Sequence, residues 1–214
     1  MAKTFKSELS TIVTETEAAY TQFAKNSITA FERFFRANLP TIARPFQLHE
    51  ITDGRNLITA NRKRGEAPDR TGVLAGEGLY LIASDYPHQL QRPNECTLEV
   101  DGLPVIYRGQ ARQVRRRLQG HLFNKQYRER FGEAALERCL KLDEIQGNKG
   151  GINVDEEPFA SARWIVVTLP LPGAELTREF AEWGFVKAWG RPVASNEKKK
   201  EPSDIALVDA ETDE

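Results

Sequence analysis

The sequence predicts an α+β fold: a small three-stranded sheet, antiparallel or mixed, flanked by helices and preceded by an N-terminal helical arm. Three observations predict it. Apolar residues recur at helical spacing up to about residue 37. Two short apolar strands, the second entered through an Asp-Gly turn, run into a basic amphipathic helix. Finally, Trp164-Ile165-Val166-Val167-Thr168-Leu169 is the clearest strand of the chain, followed by a second helical stretch.

The chain has 214 residues, 40% of them hydrophobic, enough for one sizeable core with an appended arm and too few for a large multidomain enzyme. Its 30 Lys and Arg against 31 Asp and Glu leave a formal charge of -1. Cys96 and Cys139 stand far apart with no CxxC spacing, so they read as free core thiols, and neither a disulfide framework nor a cysteine-rich zinc site is supported. The N-terminus lacks an apolar signal core, and no window approaches the roughly 20 apolar residues of a membrane span. The expectation is a soluble, cytoplasmic protein without a membrane partner.

Leu9, Ile12, Val13, Tyr20, Phe23, Ile28, Phe31, Phe34 and Phe35 predict one long helix over 7–37, or two broken near Asn26-Ser27. Pro40 and Pro45 end it, because proline removes a backbone donor and restrains the residue before it. An arm over 1–45 is thereby marked off. Residues 46–77, with Gly54, Gly65, Pro68, Gly72 and Gly76, read as loop, and Arg62-Lys63-Arg64 within them is more often a solvated surface than a phosphate contact. A strand follows over 78–83, then a hairpin over 98–107 turning at Asp101-Gly102. Residues 111–122 form a helix with Ala111, Val114, Leu118 and Leu122 inward and Arg112, Arg115, Arg116 and Gln119 outward. A helical stretch is predicted over 131–145, closed by a glycine-rich turn at 147–151 that lacks phosphate-loop spacing. After strand 164–169 comes a helix over 174–189. Residues 197–214 form a charged tail, expected to be disordered, whose last 14 positions hold six acids and no base.

Near-neutrality hides a polarised distribution. Between Val105 and Arg130 lie eight basic residues, Arg108, Arg112, Arg115, Arg116, Arg117, Lys125, Arg128 and Arg130, against Glu129 alone. Such density faces a polyanion or a compensating acidic surface, and arginine's planar fork suits phosphate oxygens. Arg117 and His121 are four apart on one side of the helix, beside the inward stripe. Glu182 shares a face with Phe185, Val186 and Trp189. A carboxylate in an apolar stripe needs a partner, and a salt bridge to one of the arginines is the ordinary answer; a metal is the other. Tyr80 and Tyr107 lie on paired strands and can project from one face. Two phenols, an arginine, an imidazole and a carboxylate are the groups that metal-assisted phosphodiester hydrolysis uses.

In order along the chain, Gly78-Leu79-Tyr80, Tyr107-Arg108-Gly109, Arg117, His121, Glu182 within Glu-Trp-Gly-Phe-Val, then Pro192 and Asn196 resemble the motifs of the GIY-YIG nuclease superfamily. The resemblance covers residues 76–196, with 78–196 as the nuclease domain and 124–160 as an insertion. It implies a divalent-metal-dependent DNA endonuclease of restriction, phage or defence type. By that resemblance Tyr80 or Tyr107 is the general base or positions the water, Arg117 stabilises the scissile phosphate, and Glu182 is the sole protein ligand of Mg2+ or Mn2+. His121 stands where the family carries tyrosine or, in some restriction enzymes, histidine, and Asn196 matches its final asparagine. Arg108, Gln110, Arg112 and Arg116 are the expected substrate contacts. The second motif departs from the pattern, with Arg108 in place of isoleucine and Gln110 where repair members often carry lysine. The competing reading is a catalytically inactive nucleic-acid-binding module or protein-interaction domain on the same fold. Cleavage of two strands by one active site per chain would favour a homodimer.

Overall fold

The computed structural model describes residues 2–39, 47–51, 73–88, 90, 93–125, 129, 140, 142 and 151–195. The Arg62-Lys63-Arg64 cluster, Arg128, Arg130, Cys139, the 147–150 glycine turn, Asn196 and the acidic tail lie outside them. The described elements run α1 (Ala2–Asn38), β1 (Gln47–Glu50), β2 (Gly78–Ser84), β3 (Glu99–Val100), β4 (Leu103–Ala111), α2 (Val114–Leu122), β5 (Trp164–Pro170) and α3 (Glu175–Trp189).

The class is α+β as expected, but the sheet is larger: five strands in the order β1-β5-β2-β4-β3, antiparallel at every pairing, where three were expected. The two short edges make the difference: β3 is the first arm of the hairpin expected over 98–107, and β1 is new. β1, Gln-Leu-His-Glu, falls in the stretch expected as loop. It has no β-branched residue and no clean alternation, and pairing with Thr168, Val167, Val166 and Ile165 of β5 makes it a strand. The hairpin turns at Asp101 and Gly102, both at positive φ, as the Asp-Gly pair requires.

Alternation divides the core between two faces. Leu79, Leu81 and Ala83 of β2 and Ile165, Val167 and Leu169 of β5 pack with Phe35 of α1 and Phe185 of α3. Tyr80, Ile82, Trp164 and Val166 face the other way, onto Val114, Leu118 and Leu122 of α2. Leu140 and Leu142 are buried in this second layer but are not helical, so the helix expected over 131–145 does not run through them. The arm is one unbroken helix. Its second half lies along α3, with Phe35 on Phe185 at 5.9 Å and Phe23 on Phe180 at 5.7 Å between ring centroids. No described helix is long and apolar enough to cross a membrane.

Candidate active site

β2, β4 and α2 bring Tyr80, Tyr107, Arg117 and His121 together. A break in register does the decisive work: Ile82 pairs with Tyr107 but Ala83 pairs with Val105, so Ile106 is an extra residue in β4. Val105 faces α1 and α3, and two residues later Tyr107 would do the same in an unbroken strand. The bulge turns it to the opposite face, beside Tyr80. The two rings stack with centroids 5.9 Å apart. Gly109, opposite Tyr80 in the ladder, leaves room for both, since a Cβ there would lie 2.5 Å from the Tyr80 hydroxyl and 2.9 Å from the Tyr107 ring.

The Tyr80 hydroxyl is the hub. It is hydrogen-bonded to His121 Nε2 at 2.8 Å and also to the Arg117 guanidinium and the Tyr107 hydroxyl. Which of the Tyr80 hydroxyl and His121 Nε2 donates is set by the imidazole tautomer. His121 Nδ1 is buried without a hydrogen-bond partner among the described residues. Burial, reinforced by the Arg117 charge, holds the imidazole at about 3, so it is neutral at physiological pH. Burial pushes the Tyr80 phenol well up; the Tyr107 phenol is also raised by burial, but Tyr80's hydrogen bond and the Arg117 charge oppose that rise. Tyr80 is 1% exposed and His121 2%, whereas Tyr107 keeps part of its surface in solvent. Of the two phenols left open by the sequence, Tyr107 is the more exposed.

Glu182 comes from the other side of the sheet. Arg108 is 7% exposed and points, as the residue after Tyr107 must, toward α3, where its Nη1 lies 3.0 Å from Glu182 Oε1. That arginine is the salt-bridge partner the carboxylate required. Glu182 keeps 21% of its side chain exposed, and its charge acts across the sheet to raise the Tyr107 phenol slightly. The chain returns along the same strand: Ala194 N donates to Ile106 O, and Arg108 N donates to Ser195 Oγ. Ser195, buried and unforeseen in the sequence reading, thus carries the chain to the site just before Asn196. Its only signal was its neighbour in the motif order.

The expected substrate contacts divide into two sets. Arg116 is exposed on the outer face of α2 and Arg112 is exposed in the bend that precedes it, Arg112 within 3.5 Å of Glu175. Gln110 is held instead by Arg178, a buried residue of α3 whose Nε donates to Gln110 Oε1 at 3.0 Å and whose Nη1 donates to Gly173 O and Glu77. Arg108 is likewise an internal partner.

Comparison of the chain with protein-family models, with curated proteins and with solved structures finds no match in any of the three. The chemistry must therefore be read from the side chains. Among the described residues no three His, Cys, Asp or Glu side chains gather as a closed cage for a metal. Glu182, a single carboxylate that is partly exposed and already paired with Arg108, suits at most a hard divalent cation such as Mg2+, which keeps several of its waters and takes one or two carboxylates plus substrate phosphate oxygens.

Proposed function

We propose that this chain is a divalent-metal-dependent DNA endonuclease that hydrolyses phosphodiester bonds by the chemistry of the GIY-YIG superfamily. The convergence of Tyr80, Tyr107, Arg117 and His121 in one hydrogen-bonded cluster, with the Glu182 charge felt at Tyr107 from α3, carries the reading. The four clustered residues come from three separate elements, and packing alone has no need to collect them around one hydroxyl.

Tyr107, the more exposed phenol, first releases its own proton to solvent and as the phenolate takes a proton of the attacking water as that water's oxygen bonds to phosphorus and the opposite P–O ester bond breaks; the departing alkoxide is protonated from solvent. Tyr80, fixed by His121 and Arg117, donates to the Tyr107 oxygen and favours its deprotonated form. Arg117 also neutralises charge gathering on the equatorial oxygens. Arg112 and Arg116 grip flanking phosphates. Glu182 would hold the Mg2+ or Mn2+, and a bound ion would supply Lewis acidity toward the phosphate. Arg108 holds that carboxylate in place through the 3.0 Å ion pair.

The Arg108–Glu182 pair also suits a module that binds DNA without cutting it, as a structural ion pair needs no metal. Supercoiled plasmid incubated with the protein in Mg2+, Mn2+ or EDTA separates the two readings. Nicking that requires metal supports the endonuclease, and retention of DNA without nicking under every metal supports the binder.

A further inference from the structure

We infer that the N-terminal half of α1 pairs in parallel with the same segment of a second copy of this chain, forming a two-fold dimer through a short coiled coil. α1 starts at Ala2, yet its contact with the body begins at Tyr20 and Ala24 and continues through Ile28, Phe31 and Phe35. Residues 8–19 are exposed without exception. Among the described residues, four of the five exposed large apolar side chains lie on this helix: Leu9 at 51%, Ile12 at 59%, Val13 at 47% and Phe23 at 57%.

Leu9, Ile12, Thr16, Ala19 and Phe23 succeed one another at alternating steps of three and four, the 3.5-residue period of a coiled-coil seam. At about 100° per residue, this seam lies roughly a quarter turn from the Ala24-Ile28-Phe31 stripe that faces α3, so both faces can be occupied at once over Leu9 to Ala19, and Phe23, whose ring also meets Phe180, is where the seam reaches the body. The segment is poorly suited to stand alone. Thr11, Ile12, Val13, Thr14 and Thr16 are β-branched, and an isolated helix of this length is marginal in water.

The flanks select the occupant. Glu8 and Glu15 border one side of the seam, Val13 and Tyr20 the other. Parallel pairing sets each glutamate near an uncharged residue of the partner subunit, whereas antiparallel pairing sets the glutamate flanks against each other. A lipid-surface helix would carry a lysine- and arginine-rich polar face, but residues 2–23 hold only Lys3 and Lys6 against Glu8, Glu15 and Glu17. From Ala2 to Phe23 the helix is roughly 33 Å long. Pairing over that length buries on the order of 1,000 Å2, the lower bound for a specific interface. The inference rests on the helix alone and stands whether or not the chain cuts DNA.

Sedimentation equilibrium of the full chain at micromolar concentration tests it. Wild type sediments as a dimer, and Leu9→Glu combined with Ile12→Glu sediments as a monomer with unchanged near-ultraviolet circular dichroism. Leu9→Cys in a Cys139→Ser background forms an intersubunit disulfide on mild oxidation, as parallel pairing requires. A monomeric wild type, a double variant that remains dimeric, or a dimeric Leu9→Cys variant that does not cross-link overturns the inference. So does a monomeric wild type that sediments with anionic phospholipid vesicles, which would assign the stripe to a lipid surface.

Discussion

Tyr80 and Gly109 face each other across β2 and β4 so closely that a Cβ on residue 109 would stand 2.5 Å from the Tyr80 hydroxyl. The hydroxyl binding His121 and Tyr107 therefore occupies the space a side chain would fill. Gly109→Ala should displace Tyr80 or part the strands, destabilising the fold by about 1–3 kcal/mol, as overpacking does. Urea unfolding beside Gly76→Ala, where a Cβ meets nothing within 4 Å, isolates the effect; equal stability of the two variants would contradict it.

The two phenols have different roles, so their removal should differ. Tyr107→Phe removes the proton acceptor and should lower the single-turnover rate by about 10^2–10^4-fold. Tyr80→Phe removes the hydrogen bonds to Tyr107, His121 and Arg117 but not the proton acceptor itself, and should be milder. His121→Gln retains an N–H for Tyr80 and should stay within about 10-fold of wild type, unlike His121→Phe. A Tyr107→Phe variant as active as wild type would exclude Tyr107 as the base.

The same histidine makes stability depend on pH. Its folded-state value of about 3 is below the ordinary imidazole value, so folding favours the neutral form. That contribution is complete above about pH 6.5 and is lost as the pH falls toward 3, because the unfolded chain then binds the proton more tightly. At pH 4.5 the loss is about 3 kcal/mol. Between pH 7 and 4.5, wild type should lose that much more unfolding free energy than His121→Gln. Parallel profiles for the two proteins would mean that the imidazole is not held neutral.

Much of this arrangement was legible in the sequence. The helical arm, the Asp-Gly hairpin, strand 164–169 and the inward stripe of α2 all have strong local signals, and pairing the 78–83 and 98–107 segments put Tyr80 and Tyr107 on one sheet. What stayed hidden depends on distant neighbours. β1 is a strand only because β5 offers it a ladder. The bulge at Ile106, without which Tyr107 would face the wrong layer, leaves no mark in the local pattern. Arg108 and Gln110 look like surface contacts in a basic window, yet Glu182 and Arg178 draw them inward. Glu182's need for a cationic partner could be predicted, but which of the arginines met it could not.

Arg112 and Arg116 remain outward-facing, so their contribution to DNA binding should be electrostatic and independent of sequence. Each phosphate contact adds about 0.9 to the slope of log affinity against log salt. Arg112→Ala with Arg116→Ala should reduce that slope by roughly 2 while leaving the fold intact, measured by fluorescence anisotropy on a labelled duplex. An unchanged slope would place the DNA elsewhere.

The most direct test of the proposed site is single-turnover cleavage of a labelled DNA duplex in Mg2+ and in EDTA, with Glu182→Ala and Arg117→Ala beside wild type and DNA binding measured for each. Metal-dependent cleavage by wild type is expected to fall by at least about 10^2-fold in both variants while both still bind. Cleavage by Glu182→Ala at the wild-type rate, or no cleavage by a wild-type protein that binds the duplex, would contradict the assignment of this site to phosphodiester hydrolysis.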